Sequence, residues 1–276
     1  MIQNLQPIEL VESIRRGYSK PQNILFSDGK QYVVKFKNNP SGTRILVNEF
    51  IAGKLGQLLS LPIVPFEVVQ ISDDFIKKFP IFTQHKFSGG NQFASLYIDN
   101  CIPLERNSKN ESIMVSNKEQ LAKILVFDIW IGNTDRKENN VLLEPTDEGH
   151  YYLHMIDHGR IFSNANWNVK VLEKMPKMTM TLNVHKWFRS KQENENELLE
   201  AIQAIKSIPE ESIRHVMQSI PKDWDVSDEE REAAVTHLVK AQQLLPQILD
   251  QPKQQESKGK DKSKKVKKKE VKKKKK

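Results

Sequence analysis

Apolar side chains alternate through "NILFSDGKQYVVKF" (residues 23–36). Tyr32, Val34 and Phe36 share one face of the second run, and Asp28-Gly29 between the runs supplies a two-residue turn, so the pattern predicts a β-hairpin. The period then changes. In "ILVNEFIAGKLGQLLS" Ile51, Leu55, Leu58 and Leu59 fall at helical spacing, which predicts a helix ended by Pro62. "VPFEVVQIS" and "FPIFTQHKF" read as further strands, and "SGGNQ" as a bend. Residues 103–117 are polar and read as a loop. Ser116 with Glu119 has the form of a capping box opening a helix that carries Leu121, Ile124, Leu125 and Ile129. "NVLLE" and "HYYLHMI" predict a second hairpin turning through "PTDEG". Beyond residue 180 the pattern is helical, with a capping box at Ser227 and Glu230. The expected class is α+β. A β-rich lobe with one key helix spans residues 1–100, and a mainly helical lobe with a small hairpin spans residues 101–250.

Composition changes this picture at one end. The net charge of +8 conceals a division. Residues 253–276 hold 14 lysines and three acids, whereas the preceding 252 residues hold 29 basic and 32 acidic ones. The lysine-rich segment 251–276 has almost no apolar residue, so disorder is expected there, with nucleic acid, an anionic surface or an acidic partner as possible contacts. A solvated solubility tail is the competing reading, since no aromatic residue interleaves the lysines to stack on bases. No run of 18 apolar residues suggests a membrane span, and the N-terminal residues lack a signal-peptide pattern. A single cysteine, Cys101, excludes a multi-cysteine zinc site and fits a reducing cytoplasm. An inert thiol is the reading for it. His85, His150, His154 and His158 show no metal-ligand spacing, and Trp130 and Trp167 read as core.

The candidate chemistry centres on "IGNTDRKENNVLLEP" (residues 131–145). A hairpin brings its two ends together, so Asn140 and Asp157 should approach each other. They offer the hard oxygen donors that Mg²⁺ takes, with phosphate and water completing its shell. Asp135 is left free to orient a hydroxyl and accept its proton, and Lys137 to offset charge on a moving phosphoryl group. On the first hairpin Lys35 lies opposite the Tyr32 face, and Glu49 follows on the helix. A strand lysine paired with a helix glutamate is how kinases hold ATP phosphates. Gly17 permits close backbone approach, and the amides of Tyr18, Ser19 and Lys20 could face phosphate. Asp128, in mid-helix, either faces solvent or is buried with partners and braces the catalytic loop.

Taken singly, each of these elements is ordinary. Their joint order and spacing resemble the protein-kinase-like fold, and "YVVKF", "NEF", "FDIWIGNTDRKENN", "DHG" and "IPKDW" resemble a compact HipA-like kinase domain over residues 8–248. The resemblance implies a two-lobed fold binding ATP and Mg²⁺. Lys35 would bind the phosphates and Glu49 position it; Asp135 would be the base, with Asn140 and Asp157 as metal ligands. It also implies an adenine-binding hinge after the strand "IFTQHKF", near Gln84 to Phe87. Lys137 stands where HipA-type loops carry histidine, as in Ser/Thr kinases; His158 replaces a phenylalanine, and no G-x-G-x-x-G is present. The expected activity is transfer of the ATP γ-phosphoryl group to a protein serine or threonine. The alternative is an inactive kinase-fold binding module whose tail contacts nucleic acid or an anionic surface. Residues 103–117 and 163–190 flank the catalytic loop and are the expected acceptor surface.

Overall fold

The computed structural model describes residues 5–14, 17–104, 113–146, 149–178, 182–194 and 196–249. The expectations for the tail from residue 251, and for most of the 103–117 loop, lie outside these residues. The first hairpin forms where predicted, as β2 (Gln22–Phe26) and β3 (Gln31–Lys35). Its turn is closed by the backbone of Lys30 donating to Asp28 Oδ1 at 3.0 Å, with Gly29 at φ 76°. A left-handed residue is what such a turn needs. These strands join β1 (Pro7–Ser13), β4 (Phe66–Ile71) and β5 (Gly90–Leu96) in an antiparallel sheet of order β1-β2-β3-β5-β4.

Helix α1 (Arg44–Leu58) crosses this sheet. It is buried on nearly every side between Ile45 and Gly56, while Leu58, placed on the apolar face from its spacing, is about half exposed. The helix is wedged between the sheet and the helical region, so a one-sided stripe would not suffice. Gly53 and Gly56 show how tight the wedge is. A Cβ on Gly53 would lie 2.3 Å from the Phe66 ring, and one on Gly56 2.0 Å from Ile63.

"FPIFTQHKF" is not a strand. Short helices α2 (Asp73–Lys77) and α3 (Pro80–Gln84) connect β4 to β5. Pro80 sits at the start of α3, where its missing N–H costs nothing. Phe82 and Phe87 pack against Phe36, the Phe87 ring stacking on it at 4.3 Å. A short apolar run does not distinguish a buried strand from a buried helical turn, and here aromatic packing decided for the helix.

The second half opens with α4 (Leu121–Trp130). The expected Ser116 capping box does not form, because the Ser116 hydroxyl donates to the Tyr151 carbonyl at 3.2 Å. Strands β8 (Val141–Pro145) and β9 (His150–Met155) make the predicted hairpin, flanked by β6 (Ile102–Pro103) and β7 (Met114–Val115). Helices α5 (Val169–Leu172), α6 (Asn183–Ser190), α7 (Asn196–Lys206), α8 (Glu210–Gln218) and α9 (Asp228–Leu244) follow. Both reciprocal bonds of the Ser227–Glu230 capping box are present at 3.1 Å. Trp130 and Trp167 are core residues, as read from the sequence. No helix among the described residues is long and apolar enough to cross a membrane.

The wedge makes a test. Gly53→Ala gains about 1 kcal/mol of helix propensity but forces a methyl group into a buried ring, a strain of about 1–3 kcal/mol. The expected outcome in urea titration is a net loss of stability.

Candidate active site

The catalytic-loop candidate is built on a buried ion pair. Asp128 lies in the last turn of α4 with no solvent exposure. Its carboxylate accepts from Arg136 Nε at 3.0 Å, Arg136 Nη2 at 3.1 Å and Asn133 Nδ2 at 2.8 Å, and stands 3.2 Å from His185 Nε2 on α6. Arg136, equally buried, donates from Nη1 to the carbonyls of Asn140 (2.9 Å) and Ile156 (2.8 Å). Asp128 therefore braces the loop, chiefly through the Arg136 guanidinium rather than through backbone amides. Burial alone would raise its pKa. The Arg136 charge and the His185 contact overcome that and hold the carboxyl well below the usual range.

Arg136 had no role assigned from sequence, and neither had Asn133 or His185. Only the "DR" of the loop motif hinted at Arg136, and arginine is rarely expected inside. Asn133 ties the loop further by accepting from the Asp135 backbone at 3.0 Å. Asn140 closes it by donating from Nδ2 to the Asp135 carbonyl at 2.7 Å. The Asp135 carboxylate, partly exposed, pairs with Lys137 Nζ at 2.5 Å.

The opposite wall comes from β3, α1 and the "DHG" loop. Lys35 pairs with Glu49 and with Asp157 Oδ1, the latter at 3.0 Å. The second oxygen of Glu49 accepts the His158 backbone N–H at 2.9 Å. One buried carboxylate thus holds both the strand lysine and the loop carrying Asp157. Burial would lower the Lys35 pKa; the charges of Asp157 and Glu49 reverse this and hold it above the usual lysine range. Burial would likewise raise Glu49, and Lys35 reverses it, leaving the carboxyl well below its usual range. Asp157 adopts φ 57°, a left-handed conformation that costs a non-glycine residue energy. Its side chain is 47% exposed, facing Lys35 and the cleft. On α1, Asn48 Nδ2 donates to the Gly159 carbonyl at 2.7 Å, while Trp167 Nε1 donates to Asn48 Oδ1 at 2.6 Å.

These walls enclose a cleft of about 370 Å³. Of the residues expected at the site, Gly17, Ser19, Lys35, Glu49, Asn140 and Asp157 line it. Asp135 and Lys137 do not line it; their carbonyls accept from Asn140, which does. Lys20 does not line the cleft, and its amide is already committed to the Gly17 carbonyl at 3.3 Å, so it is not free for phosphate. Gln84 and Phe87 do not line it either: Gln84 ends α3 and Phe87 is buried under the sheet. Leu96–Ile98, at the end of β5 and just after it, line the cleft instead. Apolar walls are provided by Val33, Ile63, Phe93, Leu142, Met155 and Ile156. Cys101 lines the rim, its thiol pushed up to about 11 by burial and by nearby Glu144 and Asp99. His154 pairs with Glu144 at 2.7 Å, and no cluster of three or more His, Cys, Asp or Glu suited to a metal occurs among the described residues.

The donor set fits a hard divalent cation. Asn140 has its amide nitrogen committed to Asp135, which leaves Oδ1 as a free oxygen donor on the cleft wall, and Asp157 supplies a carboxylate. Two oxygen donors, with neither sulfur nor imidazole, is the pattern of a site completed by phosphate and water.

A family model described as HipA-like kinase matches residues 8–254. The match takes in most of the chain, and the chain belongs to that family, whose activity is a kinase-type phosphoryl transfer. No curated protein matches the chain in sequence. Among solved structures, the Helicobacter pylori proinflammatory kinase CtkA has a TM-score of 0.58 at 15% identity, covering 86% of this chain and 93% of its own. The Golgi casein kinase with Mn and ADP bound has a TM-score of 0.53 at 14% identity, covering 88% of this chain and 73% of its own. Hydra Fam20 with sugar has a TM-score of 0.52 at 12% identity, covering 86% and 84%. These likenesses establish a kinase-like fold.

Removing one member of the Asp128–Arg136 pair strands a buried charge. Asp128→Ala should cost about 3–5 kcal/mol in urea titration. Because the Asp128 carboxyl is depressed in the fold, its stabilisation is complete above its unfolded pKa of about 4 and drains as pH falls below that value. Asp128→Asn should therefore flatten the acid limb of Tm against pH.

Proposed function

We propose that this chain is an ATP- and Mg²⁺-dependent kinase that phosphorylates protein serine or threonine. The observation that carries the reading is the Lys35–Glu49 pair reaching Asp157 at 3.0 Å on the wall of an apolar cleft that Asn140 also lines. Lys35 would bind nucleotide phosphate, held in place by buried Glu49. Gly17 and Ser19 would lie along the phosphates, and the apolar residues and Leu96–Ile98 would take the base. Asn140 and Asp157 would hold the metal. When bound, a divalent cation there would draw charge from the phosphate oxygens.

Asp135 orients the acceptor hydroxyl and takes its proton as the oxygen bonds to the γ-phosphorus. The bond from that phosphorus to the β–γ bridging oxygen breaks, and ADP leaves. Lys137 steadies Asp135 and sits near the transferred group. Every polar position that this chemistry requires is filled, which favours an active enzyme over an inactive module. Mn and ADP in the Golgi casein kinase are consistent with the same use here.

The test is phosphate transfer from labelled ATP with Mg²⁺, paired with nucleotide-induced thermal stabilisation. Asp135→Ala should lower kcat by about 10²–10⁴-fold and keep the stabilisation. Lys35→Ala should lose the stabilisation, and Asp157→Ala its Mg²⁺ dependence. Unchanged transfer in Asp135→Ala and Asp157→Ala would sink the assignment; stabilisation without transfer in the unaltered chain would identify a binding module.

A further inference from the structure

Charge is divided within the body as well as between body and tail. Residues 158–191 carry seven basic residues and one acid, Glu173. The rest of residues 1–252 carries 22 basic and 31 acidic residues. The basic segment begins beside the catalytic loop and is stitched to it. Thr134 N donates to Arg160 O at 3.2 Å, Phe162 N to Ile131 O at 2.7 Å, and Ser163 N to Gly132 O at 2.8 Å. Its far end, α6, reaches back beneath the same loop through His185 and Asp128. Arg160, Lys170, Lys174, Lys177 and Lys186 are exposed, and none is ion-paired among the described residues.

These five exposed cations of one sign repel one another, and no ion pair among the described residues offsets that. Through residues 160–163 and α6 the segment adjoins the loop of Asp135 and Lys137, while α5 packs on α9 beside Glu229 and Glu232, so an anionic partner is drawn chiefly to the loop side. We propose that this face docks the phosphoacceptor and that the acceptor is an acidic polypeptide segment, a serine or threonine flanked by aspartate and glutamate. The inference rests on the kinase reading and names the substrate class of that same site. A polypeptide fits better than single-stranded RNA: the aromatic rings of the segment, Phe162, Trp167 and Phe188, are buried, and Trp187 is only partly exposed, so there is no stacking platform.

The experiment uses the full chain with ATP and Mg²⁺ and three peptides built around one serine, flanked by Asp/Glu, by Asn/Gln or by Lys. The acidic peptide should show a kcat/KM at least about tenfold above the neutral one, an advantage that shrinks as salt rises. The triple variant Arg160→Glu/Lys174→Glu/Lys177→Glu should lose that advantage through KM, with ATP hydrolysis in the absence of peptide unchanged. A variant with the lysines of 264–276 changed to glutamine should keep it. Fluorescence anisotropy of the labelled acidic peptide on the full chain carrying Asp135→Asn reads docking without catalysis, so absence of all ATP turnover would remove the kinase reading and still leave docking measured. Equal use or binding of the neutral or basic peptide overturns the proposal. So does a preference lost only with the tail lysines, or binding of single-stranded RNA that the triple variant abolishes while peptides are not discriminated.

Discussion

The geometry of the candidate site depends on one arginine inside the protein. Arg136 meets the Asp128 carboxylate with two nitrogens and gives its remaining donor to the carbonyls of Asn140 and Ile156. Asn140 is the last residue before β8, and Ile156 directly precedes Asp157. The guanidinium therefore fixes, from behind, the distance between the two oxygen donors at the front. A buried ion pair is seldom a net source of stability, because its desolvation can exceed its Coulombic gain. What it supplies here is geometry: a planar fork has one good way to satisfy four acceptors, and lysine could not reproduce it.

A second set of contacts holds the sheet against the helical region. Arg44 at the start of α1 pairs with Glu230 and lies over the Trp167 ring at 4.3 Å. Lys37 and Asn91, from the sheet side, converge on Asp223, and Trp224 Nε1 donates to the Asn91 carbonyl at 2.9 Å. Glu230 is also the capping residue of α9, so one carboxylate both starts that helix and anchors α1. The orientation of Glu49 is thereby fixed from both ends of its surroundings. Lys35 meets it without any change in the position of α1.

What was legible from sequence follows from how each signal arises. Lys35, Glu49, Asn140 and Asp157 line one cleft because regular elements carry them at spacings that topology converts into proximity. Lys20 lies off the cleft with its amide taken by a tight turn, an effect no residue type announces. Gln84 and Phe87 lie off the cleft because "FPIFTQHKF" is apolar without a clear period and folds as a helix rather than a strand; Leu96–Ile98, which line the cleft, follow β5. Arg136 escaped because charge normally signals solvent. Its burial is decided by Asp128, Asn140 and Ile156 together, and of these only Asp128 is a charge that sequence could have paired with it.

The two carboxylates on Lys35 are not equivalent. Glu49 is buried and receives a second bond from the His158 amide, so separating it from Lys35 would leave a desolvated charge. Asp157 is nearly half exposed, so water shares its side of the contact with the buried Lys35. The two pairings therefore differ in burial, not in partner. Lys35 is thus anchored by the buried carboxylate, and the left-handed backbone at Asp157 sets the more exposed one on the cleft wall.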